Sequence, residues 1–186
     1  MYLFLKLLLF IMLVGSLVGC SLSKKDKNIL ATKLRGSNET YVKLKNIQDT
    51  KYCKTYFSEY KKTFKEEELF RILSEKDYYS IFKAECLVAS NYPESIISLI
   101  NKITDSTEVG LEGFFPVIIM DRVENGDMEV IDYGDVTNDD LFRVSGRCNY
   151  ILKDLTGQDF GFAEMNNTKN DLVELQNKWI NWVLSL

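Results

Sequence analysis

The chain has 186 residues, with 27 acidic and 23 basic side chains, a net charge of −4 and no histidine. Apolar residues at 46% and charged residues at 27% are globular proportions, so wholesale disorder is excluded and an ordinary single core is within reach. Without imidazole, Ser-His-Asp and Cys-His catalysis, HExxH zinc sites and histidine metal ligation are excluded as well.

The first segment is an apolar run from Leu7 to Val18 behind Lys6, closed by Gly19-Cys20. One positive charge, an apolar stretch and a small residue before a cysteine read as a secretory signal. Lys6 limits the stretch to about 13 residues, short of the roughly 20 that span a bilayer. Leu17-Val18-Gly19-Cys20 resembles the lipobox of bacterial lipoproteins. The resemblance implies cleavage before Cys20, a diacylated Cys20 sulfur and a membrane anchor in the cell envelope. Ser21, where an inner-membrane lipoprotein carries Asp, implies an outer membrane and a body facing the periplasm. Loss of residues 1–19 removes one lysine and no acid, moving the net charge to −5. An acidic exported chain has little attraction for nucleic acid.

Residues 20–40 are polar and read as a tether, with a short helical turn allowed from Ile29 to Leu34. Basic residues gather here and just beyond, at Lys24, Lys25, Lys27, Lys33, Arg35, Lys43, Lys45, Lys51 and Lys54. A solvated tether is favoured over a basic stem lying on anionic head groups.

A helical domain is expected over 41–186. Tyr52, Tyr56, Tyr60 and Phe64 follow i, i+4 spacing and read as core rather than as an aromatic ligand stripe. Phe64 to Leu73 carries apolar Leu69, Phe70, Ile72 and Leu73 behind three first-turn glutamates. Asp77 to Ala89 follows, with Asp77 or Ser74 as its cap. Pro93 stands where a helix starts, and Ile96, Ile97, Leu99, Ile100 and Ile103 mark its buried side. Residues 105–136 are ambiguous. A short β-hairpin near 117–131, turning at Asn125-Gly126, competes with a helix from Leu111 to about Val123, and the helix is slightly favoured.

Thr137-Asn138-Asp139-Asp140 predicts a capped helix start. Leu141, Val144, Cys148, Ile151, Leu152 and Leu155 mark its inner face, small Ser145 and Gly146 suit a neighbouring helix, and Gly157 ends it. Thr168 to Asp171 offers a second cap, before Leu172, Leu175, Trp179, Val183 and Leu186. Short amphipathic helices in succession predict a mainly α fold of antiparallel pairs stacked in the manner of an α-solenoid. Asp140-Leu141-Phe142, Gly146-Arg147, Leu155-Thr156-Gly157, Asp159-Phe160-Gly161, Trp179 and Trp182 resemble the tail of HEAT-like helical lipoproteins. That resemblance covers about 50 residues, implies a helical scaffold and brings no catalytic residue with it.

Three cysteines remain beyond Cys20. Cys53 with Cys86 would close a loop of about 33 residues; three reduced thiols, or another pairing, are the alternatives. Cys148 on an apolar face reads as a small hydrophobe. The acids Asp127, Glu129, Asp132, Asp135, Asp139 and Asp140 crowd one region, but no EF-hand order is present and no metal site is expected. Arg147 flanks an apolar face and is expected to pair with a carboxylate such as Asp105 or Asp159, or else to anchor a ligand. Trp179 and Trp182 share a side at i, i+3 and read as core, with Trp182 as an exposed interface anchor in the alternative. No phosphate loop, dinucleotide fingerprint or nucleophile elbow occurs, so no cofactor is expected. The favoured reading is a non-catalytic, membrane-anchored module that binds another envelope protein. Its alternatives are an immunity or inhibitor lipoprotein against an exported toxin, a small-ligand or lipid binder, and, last, an envelope hydrolase using paired carboxylates.

Overall fold

The structure is a computed structural model, and it describes residues 21–49, 53–54, 64–77, 79–112 and 139–186. It is mainly helical. Seven helices occur among the described residues, with two isolated β-bridges, Asp77 with Glu112 and Glu108 with Arg143, and no strand. The helices are α1 (Lys24–Arg35), α2 (Asn38–Asp49), α3 (Glu66–Leu73), α4 (Tyr79–Ser90), α5 (Glu94–Lys102), α6 (Val144–Thr156) and α7 (Lys169–Ser185). The hairpin-or-helix alternative at 111–131 lies outside the described residues except for Leu111 and Glu112, which are not helical, Glu112 forming the bridge with Asp77.

Local chemistry explains several boundaries. Thr168 and Asp171 form a reciprocal capping box, the Thr168 hydroxyl accepting from the Asp171 N–H while the Asp171 carboxylate accepts from the Thr168 N–H at 2.7 Å. Asp77 Oδ1 accepts the Tyr79 N–H at 3.0 Å and starts α4. Gly157, at φ +69°, ends α6 in the left-handed conformation, which a side chain would disfavour. The helix expected from Thr137 begins instead at Val144. Asp139 and Asp140 are drawn away from capping: Asp139 Oδ1 accepts from the Ala163 N–H, and the Asp140 N–H pairs with the Ala163 carbonyl, both across to the segment before α7. Gly146 makes a close approach, but to that turn rather than to another helix. A Cβ there would lie 2.0 Å from the Asp140 carbonyl oxygen.

The expected tether is a correction. Ser23 caps α1 through the Asp26 N–H, and Leu22, Leu30, Ala31 and Leu34 are all buried. Their partners come from distant sequence. The Leu22 N–H donates to Asn101 Oδ1 at 2.8 Å, the Tyr92 hydroxyl donates to the Leu34 carbonyl, and Arg35 pairs with Glu94. The start of α1 therefore meets the end of α5, and its end meets the start of α5.

Neighbouring helices pack as pairs, α1 with α2, α3 with α4 and α4 with α5. Other contacts close the ends of the chain on each other: α7 packs on α1 and α5, while α6 packs on α2, α3, α4 and α5. The end of α5 meets the start of α6 through two hydrogen bonds, Ser145 N–H to the Asp105 carbonyl (2.8 Å) and Val144 N–H to the Thr107 carbonyl (3.1 Å). One contiguous core results, with Leu69, Ile72, Leu99, Ile100, Ile151, Leu152 and Trp179 fully buried. Each such leucine or isoleucine contributes about 1.5–3 kcal/mol. Cys53 and Cys86 form a disulfide with α-carbons 5.6 Å apart, tying the chain after α2 to the middle of α4. Cys148 is free and buried. Burial pushes its thiol up from the ordinary cysteine range, aided by the charge of Asp105, so it stays protonated.

Candidate functional site

Arg147 is the largest buried charged group among the described residues, at 0% exposure. α6 directs it toward a space bounded by the end of α3, the Glu75–Ser80 turn and the Gly110 segment. Its Nε donates to the Leu141 carbonyl at 2.7 Å. Nη1 donates to the carbonyls of Leu73 (2.8 Å) and Glu75 (2.5 Å) and, at 3.3 Å, to the Ser80 hydroxyl. Nη2 donates to the Gly110 carbonyl at 2.6 Å. Every one of these acceptors is neutral. The expected ion pair is therefore corrected, because Asp105 and Asp159 have partners of their own. Asp105 holds Lys102 (2.9 Å) and Thr107, and Asp159 holds Lys153 (3.2 Å) and the Gly161 N–H (2.9 Å). Burial alone would raise the Asp105 carboxyl, but hydrogen bonds from Thr107 and Lys102 outweigh it and hold it below the ordinary range.

The carbonyl cage has a physical cause. Leu73 ends α3, so its carbonyl lacks an intrahelical partner and lies at the negative end of the helix dipole. The planar guanidinium fork can serve several such acceptors at once. Burial pushes the Arg147 pKa down from its usual value, yet a guanidinium keeps its proton in a protein. With its donors turned onto backbone groups, Arg147 is a clamp between four chain segments, and the ligand-anchoring alternative finds no accessible atom.

A second buried network went unforeseen. Asn149 Nδ2 donates to Asp139 Oδ1 (2.7 Å) and to the Gly161 carbonyl (3.0 Å), while Asn149 Oδ1 accepts from Trp179 Nε1 (2.8 Å). Lys153 sits 3.8 Å from the Asp139 carboxylate and 3.6 Å over the Phe162 ring. Together these groups fasten the return segment after Gly157 to α6 and α7. The available signal was a lone amide, Asn149, between Cys148 and the apolar positions Ile151 and Leu152. Gln176 acts similarly, donating to the Ile100 carbonyl at 2.9 Å.

Trp182 is partly buried and packs into an aromatic cluster. Its ring lies 5.7 Å from Trp179 and 6.5 Å from Phe160, and Phe160 meets Trp179 edge-on at 4.8 Å. Of the crowded acids, Asp127, Glu129, Asp132 and Asp135 lie outside the described residues. Asp139 is buried as above, and Asp140 lies 3.4 Å from Arg143. Among the described residues no group of three or more Cys, Asp or Glu side chains is placed to hold a metal ion. Cys20 and the lipobox also lie outside the described residues.

Two surface depressions lie at opposite ends of α6. One, of about 480 Å³, is lined by Asp105, Arg143, Asn167 and Lys169. Its Arg143 is already held by Glu108 (3.2 Å) and the Met165 carbonyl (2.8 Å). The other, of about 550 Å³, is lined by Asn38, Lys43, Thr156 and Gln158. No helix among the described residues is long and apolar enough to cross a membrane. Compared with family models, curated proteins and solved structures, the chain finds no match.

Proposed function

We propose that this chain is a lipoprotein of the cell envelope, anchored through acylated Cys20, whose helical body is a non-catalytic module that binds another envelope protein. The observation that carries the reading is Leu17-Val18-Gly19-Cys20 placed directly before a folded helical body. In an envelope with two membranes, Ser21 favours the outer one, with the body facing the periplasm. The buried polar side chains give further support. Arg147, Asn149, Asp139 and Gln176 all bind groups of the fold itself, as expected of a scaffold.

Two measurements on the full chain in its own cells test the reading. Growth with alkyne-tagged palmitate should label the parent and leave Cys20→Ser unlabelled; an unlabelled parent overturns the anchor. Cross-linking in the same cells, with capture and mass spectrometry, should return one partner in near-equal amount that is lost on changing exposed residues. Absence of any partner above background overturns the binding-module reading.

A further inference from the structure

Resting on the reading that Cys20 is acylated, we infer that one particular end of the helical body docks on the bilayer surface, with Phe142 and Met165 at the acyl boundary and Lys24 and Lys25 among the head groups. The argument starts from reach. A flexible tether of twenty residues would hold a body at a root-mean-square distance of about 25 Å, free to turn in any direction. Here Leu22 is fixed, at 5% exposure and with its N–H bonded to Asn101, and Ser21 alone separates it from Cys20 in sequence. Two residues span at most about 7 Å. A lipid on that thiol must therefore enter the membrane beside the start of α1 and the end of α5.

That end of the body is defined by hydrogen bonds. From Asn101 the chain leads through Asp105 to Ser145 at the start of α6 (2.8 Å). The Phe142 carbonyl accepts from Val109 N–H at 2.8 Å, and Arg143 reaches the Met165 carbonyl at 2.8 Å. Phe142 and Met165, at 55% and 72%, are the two most exposed of the large apolar side chains among the described residues. Scattered apolar exposure on a surface is ordinary. Two such residues at the end the anchor must face are what an interfacial contact needs. Lys24 and Lys25 are exposed on the first turn of α1 and have no partner among the described residues, whereas Lys27, one turn further along, is paired with Glu66 at 3.2 Å. Away from that end lie the Arg35–Glu94 pair and the depression beside Glu39 and Lys43, and the apolar side chains at the end of α7, Leu184 and Leu186, are less exposed, at 36% and 42%. Of the acids at the docking end, Glu108 is paired with Arg143, which lessens its repulsion of anionic lipid, while Glu164 beside Met165 is exposed and unpaired among the described residues, so Lys24 and Lys25 must offset it.

The test uses the full acylated chain in vesicles of phosphatidylcholine with phosphatidylglycerol, with or without lipids brominated along the acyl chain. Phe142→Trp adds a reporter at the docking end, and Glu39→Trp adds one at the far end. The parent, with Trp179 and Trp182, supplies the baseline. The added emission of Phe142→Trp should shift to the blue and be lost with brominated lipid, while that of Glu39→Trp is retained. Quenching of Glu39→Trp equal to or greater than that of Phe142→Trp overturns the inference, as does quenching of neither. Intact mass separates the two levels of failure. A diacylated chain with the wrong quenching pattern overturns only the orientation, and a chain without acyl mass overturns both the orientation and the lipoprotein reading.

Discussion

Replacing Arg147 with methionine removes the guanidinium and keeps an unbranched apolar side chain in its place. Four backbone carbonyls, of Leu73, Glu75, Gly110 and Leu141, then lose a charged donor at 2.5–2.8 Å, and the Ser80 hydroxyl loses a weaker one at 3.3 Å. A buried acceptor left without its donor costs about 1–3 kcal/mol. Partial relaxation and the lighter desolvation of methionine offset part of this, so a loss of about 4 kcal/mol is expected. Against a total of roughly 5–15 kcal/mol that is severe. With a urea dependence of about 2 kcal/mol per molar, the midpoint followed by circular dichroism should fall by about 2 M. Arg147→Lys should fall between, because an ammonium offers three donors without the planar fork. A methionine variant within about 0.5 kcal/mol of the parent would refute the clamp. A variant that is equally stable but no longer captures a partner would assign Arg147 to binding instead.

Gly146→Ala should lower stability by about 1–3 kcal/mol or more, since the new methyl meets the Asp140 carbonyl at 2.0 Å; calorimetry checks this, and a neutral result would place the turn at Asp140 elsewhere. Cys53→Ala with Cys86→Ala should cost about 3–4 kcal/mol, and reductant should lower the parent's urea midpoint but not that of the double variant. The carboxyls of Asp105, Asp159 and Asp171 are each held below the ordinary range in the fold, Asp159 chiefly by the Gly161 N–H and Asp171 chiefly by the Thr168 hydroxyl. Depressed carboxyls contribute stability fully above the unfolded value of about 3.9 and lose it as pH falls through the folded values. Melting temperature should thus hold from pH 5 to 7 and drop below about pH 4, less steeply for Asp159→Asn; an identical slope in that variant would contradict the assignment.

The features legible in the sequence were local ones. Thr168-x-x-Asp171 is a cap wherever it precedes an apolar period, and Gly157 ends a helix because few other residues adopt its backbone conformation. Inward faces such as Leu172, Leu175, Trp179 and Val183 follow from spacing alone, although Leu186, which the same spacing marks, is 42% exposed beyond the helix. Misreadings arose where the partner lies far along the chain. The stretch 21–40 is polar on average, and its narrow stripe of Leu30, Ala31 and Leu34 is buried only because α5 and α7 come back to cover it. Asp139 and Asp140 have the composition of a cap, but Asn149 and Ala163 claim them first. Arg147 was expected beside a carboxylate because carboxylates are visible as letters. A backbone carbonyl belongs to every residue and leaves no such mark.

The residues that carry the HEAT-like resemblance now have physical assignments, and these bear on where recognition can reside. Gly146 admits the Asp140 turn, Arg147 clamps four segments, Gly157 ends α6, Asp159 caps the Gly161 N–H, and Phe160 packs on Trp179. Gly146, Arg147 and Phe160 are engaged inside the body, specify a scaffold and are poor candidates for specificity toward a partner, whereas Gly157 and Asp159 lie at its surface and Phe142, which shares the resemblance, is 55% exposed. On the proposed binding reading, specificity falls to exposed positions, which stability does not constrain. The outward Glu174–Lys178 pair on α7, at 3.3 Å, illustrates the difference. Exchanging the two charges should change stability by less than about 0.5 kcal/mol, as for other exposed pairs one turn apart. A loss of partner capture in that stable variant would place recognition on the outer face of α7. An unfolded variant would instead show that this face supports the fold, and the division between scaffold and surface would fail there.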